Sequence, residues 1–126
     1  MIRSIRFVLL LLPAAAGSVP AAAEVIDIDW GARGRFERQV TVAPGKFAEV
    51  CGKLLRNDRV AWRFEASGPL DFNIHYHEGQ AVRYPAREDA AAGSSGTLQA
   101  ALDQDYCWMW TNKARHPVSL RLALER

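Results

Sequence analysis

From Phe36 onward, apolar and polar positions alternate with a period of two. Phe36, Arg38, Val40 and Val42 alternate with Glu37, Gln39 and Thr41, and Val60, Trp62, Phe64 and Ala66 with Ala61, Arg63 and Glu65. Leu70, Phe72, Ile74 and Tyr76 alternate with Asp71, Asn73, His75 and His77, and Val118, Leu120, Leu122 and Leu124 with Ser119, Arg121, Ala123 and Glu125. Successive side chains of a strand point to opposite faces, so each run predicts a half-buried strand. Further strands are expected at 47–55, 81–84, 97–102 and 106–111. Pro44-Gly45, Arg56-Asn57-Asp58, Ser67-Gly68-Pro69 and Glu78-Gly79 supply turn chemistry at short spacing. Together they predict an all-β, antiparallel β-sandwich of about eight short strands. Residues 85–96 are expected to form one long polar connection, with room for a helical turn at 87–92. Residues 24–34 read as a lead strand or an arm, and 35–126 as a single domain.

The first 23 residues follow another pattern. Arg3 and Arg6 precede an apolar block from Phe7 to Leu12, and Pro13 to Pro20 leads into Ala21-Ala22-Ala23. A basic start, an apolar middle and a small-residue cleavage site are the marks of a secretory signal peptide. A spanning helix needs roughly 20 apolar residues, and Pro13, Gly17 and Pro20 interrupt this stretch. Cleavage after Ala23 is expected, without a lipid anchor and without stable membrane insertion afterwards. The protein is then secreted, and periplasmic if its source is bacterial.

Export changes the charge and the redox setting. Taking Arg3 and Arg6 from 16 Lys+Arg leaves 14, against 14 Asp+Glu, so the mature part is formally neutral. Nucleic-acid binders concentrate basic charge, and that class is set aside. Cys51 and Cys107 are the two cysteines, and an exported chain keeps them in an oxidising compartment. A disulfide is the economical reading. A redox dithiol or a copper–thiolate site is the alternative, weakened by the wide spacing and the lack of a C-x-x-C pair.

The order of motifs resembles a known family. Cys51, Asn57-Asp58, Val60-x-x-x-Phe64 and Leu70-x-Phe72-x-Ile74 are similar to the first half of the GOLD domain, and Tyr106-x-Trp108-x-Trp110-x-Asn112 to its late strand. The resemblance covers residues 36–124 and implies a β-sandwich of the kind found in the lumenal domain of eukaryotic secretory cargo receptors, where two cysteines form a disulfide. Two departures stand out. Cys107 directly follows Tyr106, earlier in the strand than in those receptors. No C-terminal coiled coil or membrane anchor is expected, so the cargo-receptor role does not carry over.

Two segments could carry chemistry. On a strand, His75 and His77 project together, opposite Phe72, Ile74 and Tyr76. Two imidazoles so placed could converge on Zn²⁺ or Cu²⁺, with Glu78, His116 or Met109 as further ligands. The plainer expectation is that both histidines cap an exposed strand face; a pH-sensing role is a third. In the second segment Tyr106, Trp108 and Trp110 share one face, and Cys107 and Met109 the other. Aromatic rows bind sugars or peptides when exposed and fill cores when buried. Core burial is expected here, which would make the disulfide tie neighbouring strands rather than pin two sheets together. Ser94-Ser95 have no nucleophile-elbow context and the acids are dispersed among bases, so no enzyme is expected. The pattern implies a non-catalytic binding or adaptor module for an envelope protein or small ligand, with a periplasmic copper- or zinc-binding protein as the alternative.

Overall fold

The computed structural model describes residues 23–126. The expected leader at 1–23 lies outside the described residues, apart from Ala23. Seven strands follow one another: β1 Glu24–Asp27, β2 Arg35–Val42, β3 Phe47–Leu54, β4 Arg59–Glu78, β5 Ala81–Gln99, β6 Gln104–Thr111 and β7 Val118–Glu125. They form one sheet in the order β1-β3-β6-β4-β7-β2, with β5 paired to β4 off that path.

The curvature comes from β4. Its first half pairs with β7, from Ala61↔Glu125 to Ala66↔Leu120. Its second half pairs on the same side with β6, from Asp71↔Thr111 to His75↔Cys107. The change of partner falls on Ser67-Gly68-Pro69, where the ladder to β5 also loses register between Glu65 and Leu70. Proline has no N–H to give a ladder, so it belongs at such a break. On either side Trp62, Phe64, Phe72 and Ile74 keep to one face and are buried. The sheet therefore curls over that face, and its halves meet in the core: Phe72 lies 4.8 Å from Trp62 and 4.9 Å from Phe64 between ring centroids, and Trp110 lies 5.6 Å from Phe64. One continuous cluster, running from Phe36 to Leu124, fills the concave side.

Four expectations need correction. The sheet is mixed, because β1 runs parallel to β3 from Glu24↔Ala48 to Asp27↔Cys51. Among the described residues there are seven strands rather than about eight: 59–78 form one strand and 81–99 another, while 24–27 add β1. Ser67-Gly68-Pro69 bends that strand instead of reversing the chain. Residues 85–96 are neither loop nor helical turn; they lie within β5 and pair with β4. The other turns stand where expected, with Gly45, Asn57 and Gly79 all in the left-handed region that tight reversals use.

Candidate functional site

The outward face of the half-sheet β1-β3-β6-β4 collects residues that are distant in sequence. Register sets Cys51 opposite Cys107, and Cys107 opposite His75. In the next row Glu49, Met109 and Asn73 stand side by side. Cys51 and Cys107 form a disulfide with a Cα–Cα separation of 4.1 Å, nearer the ~4.5 Å of a non-hydrogen-bonded pair than the ~5.5 Å of a bonded one. The bridge thus ties adjacent strands, on the face opposite the aromatic residues.

His75 reaches across β6 to Glu49 on β3. Its Nε2 lies 3.2 Å from Glu49 Oε1, and its Nδ1 lies 2.8 Å from Asn73 Oδ1. Glu49 Oε1 is also 3.5 Å from Cys51 Sγ. The His75 and Glu49 side chains are only 8% and 15% exposed, so the pair is shielded from water. Burial holds the His75 pKa below its ordinary value, against the pull of the Glu49 carboxylate in the other direction. Both ring nitrogens face oxygen acceptors. One ring proton satisfies one of them; a half-turn of the Asn73 amide, a second proton, or a cation between Nε2 and Glu49 satisfies the other.

Of the remaining metal-ligand candidates, His77 and Met109 stay beside His75, whereas Glu78 and His116 do not. His77 is exposed at 5.4 Å from the His75 ring, edge to face. Met109 is half-buried in the row between Glu49 and Asn73. Glu78 lies at the end of β4, 3.8 Å from Arg83. His116 is exposed in the β6–β7 connection, beyond the Asp71↔Thr111 end of the ladder. From there to His75 is four residues along β4, about 13 Å at ~3.3 Å per residue. His75 is buried rather than exposed because Glu49 covers it from β3. A bulge in β5 adds Tyr84, whose ring centroid lies 6.1 Å from that of His75. The sequence reading missed Glu49. Its one signal was the i, i+2 relation to Cys51, which places both on one strand face.

Tyr106, Trp108 and Trp110 are buried in the core. The Tyr106 hydroxyl donates to the Leu102 carbonyl at 3.0 Å, while the indole N–H groups of Trp108 and Trp110 have no hydrogen-bond partner among the described residues. Asn112, at the end of the same strand, is also buried. Its amide nitrogen donates to the Val42 and His116 carbonyls at 2.9 Å each, and its oxygen accepts from the Ala114 N–H. It pins the β2–β3 corner to the β6–β7 connection.

The other half-sheet carries an open trough of about 610 Å³ on its solvent face. Glu37, Ala123 and Arg63 form one row across β2, β7 and β4, and Gln39, Arg121 and Glu65 the next. The short Ala123 side chain between Glu37 and Arg63 makes the depression, and the charged side chains wall it. No described helix is long and apolar enough to cross a membrane.

No protein-family model and no curated protein matches the chain. Its fold is similar to several solved structures. The Aeromonas hydrophila PliG, a periplasmic inhibitor of g-type lysozyme, superposes with a TM-score of 0.57 at 14% identity, covering 83% of this chain and 98% of that one. The pre-peptidase C-terminal domain of a Bacillus anthracis collagenase gives 0.58 at 10% identity, covering 86% and 100%. The Yersinia pseudotuberculosis-derived mitogen gives 0.57 at 9% identity, covering 72% and 84%. At these identities the likeness is one of fold.

Proposed function

We propose that this chain is an exported, non-catalytic binding module of the cell envelope that recognises a protein partner. On this reading residues 1–23 are removed during export and 35–126 are a GOLD-like sandwich. The observation that carries it is the trough over β2, β7 and β4. Small-molecule sites are enclosed and mostly apolar, whereas this one is open and walled by Glu37, Arg63, Glu65 and Arg121. Charges of both signs on an exposed sheet face suit a protein surface, where they set orientation and association rate. The non-catalytic part of the reading is supported by the solved structures of similar fold, which include an inhibitor of an enzyme and a domain set apart from a peptidase.

The similarity to periplasmic lysozyme inhibitors makes a g-type lysozyme the first partner to try. Purified mature chain is expected to slow cell-wall hydrolysis by such an enzyme in the presence of a chelator. An Arg63→Glu/Arg121→Glu variant should lose at least tenfold in potency, since reversing charges at a complementary interface costs several kcal/mol. Full activity of the lysozyme at saturating chain would remove that partner. Equal potency of the variant would remove the trough.

A further inference from the structure

The trough leaves the Glu49–His75–disulfide cluster without a role. We propose that reducing the Cys51–Cys107 bridge opens a four-donor site for a thiophilic divalent cation such as Zn²⁺, held by the two sulfurs, the Glu49 carboxylate and the His75 Nε2. The Glu49 oxygen and the two sulfurs already lie within 4.8 Å of one another, and His75 stands directly opposite Cys107 in the ladder. Zinc–ligand bonds of about 2.0–2.3 Å put tetrahedral donors about 3.3–3.8 Å apart. The Glu49–His75 contact at 3.2 Å and the Glu49–Cys51 contact at 3.5 Å are close to that spacing. Two movements remain: the sulfurs must part, which breaking their bond allows, and the His75 ring must swing toward them, because it stands outside that 4.8 Å group.

The hydrogen bonding of His75 points the same way. Asn73 Oδ1 lies 2.8 Å from Nδ1, where it accepts the proton of the tautomer whose Nε2 lone pair is free. Metal-ligating histidines are oriented by such a partner on the other ring nitrogen. Nε2 then faces the Glu49 oxygen with no proton between them, an arrangement that a cation relieves. Two thiolates, one carboxylate and a neutral imidazole are a donor set that suits zinc.

The redox step balances as follows. A dithiol reductant gives two electrons and two protons, becoming a disulfide itself, and the Sγ–Sγ bond becomes two thiols. Each thiol releases its proton when the cation binds. Reoxidation by thiol–disulfide exchange with an oxidising disulfide, which takes up the two electrons and becomes a dithiol, re-forms the Sγ–Sγ bond and releases the cation, so the site is open only while the bridge is reduced. This site stands apart from the trough, and neither reading depends on the other.

Cobalt(II) is the probe, because thiolate ligation gives it a charge-transfer band and tetrahedral geometry a characteristic visible spectrum. Mature chain reduced with a phosphine, its fold followed by near-ultraviolet circular dichroism, is expected to take up about one Co²⁺ with both signatures. The oxidised chain should show neither. His75→Ala and Glu49→Gln should each weaken binding at least tenfold while leaving the thiols countable, and Cys51→Ser/Cys107→Ser should abolish the band. A folded, reduced chain without the band overturns the proposal. So does a band indifferent to both the His75 and Glu49 variants, and so does loss of the fold on reduction with no recovery on adding metal.

Discussion

His75 shows how one buried side chain couples the fold to pH. Burial lowers its folded pKa below the ordinary 6.5. Between the two values the unfolded chain binds more protons than the folded one, so stability falls as pH falls. Its contribution is complete above about 6.5 and is lost as the pH drops from there toward the lowered folded value. Denaturant midpoints measured from pH 8 to 5 should decline on the acid side of 6.5, and His75→Gln should flatten that decline. An unchanged slope in the variant would assign the effect to another group. At this scale the sequence was partly legible: strand parity put His75 and His77 on one face, and Tyr106, Trp108 and Trp110 on the core side. Parity says which face a residue takes, not what covers it. The cover comes from Glu49, two strands away in the sheet, and from Tyr84 at a bulge.

Among the elements, β4 and β5 separate what local pattern can and cannot specify. The alternation in 60–66 and 70–76 was readable, and so was the reversal at Gly79. The joining of the two runs into one bent strand was not, because Ser67-Gly68-Pro69 looks the same at a turn and at a change of partner. Residues 85–96 lack an apolar alternation because β5 is an edge strand, exposed over most of its length. Its extended form is imposed by the ladder to β4. Small residues there have a use: Gly96 lies opposite Trp62, and a Cβ on it would come within 2.6 Å of the Trp62 ring. Gly96→Ala should therefore push the indole off its seat and cost about 1–3 kcal/mol by denaturant titration, the usual range for overpacking. A neutral result would mean that the ring can shift freely. Nearby, Asp71 accepts from the Ala90 N–H at 2.9 Å and pairs with Lys113 at 2.8 Å. Lys113 first, and then the Ala90 bond, hold its carboxyl below the ordinary value. The contact anchors the bulge at which Ala90 takes a positive φ of 50°.

For the whole molecule, the disulfide is the main covalent constraint on a small core. It closes a separation of 56 residues, which in the chain-entropy model is worth about 4 kcal/mol. Cys51→Ala/Cys107→Ala should lower unfolding free energy by about that amount, read from urea titrations in which the transition stays cooperative. A loss under about 1 kcal/mol would mean that the unfolded chain is little constrained by the bridge. The sequence by itself determined the all-β class, the main strand faces, the aromatic core and the plausibility of the bridge. Each follows from local periodicity or from residue chemistry, which act over a few positions. Only the tertiary structure decided that β1 joins in parallel and that β4 serves both halves of the curled sheet. It alone brought Glu49 and His75 together next to the disulfide and opened a charged trough beside Ala123. Those depend on strand pairing between distant segments, and pairing is settled by how the whole chain buries its apolar face.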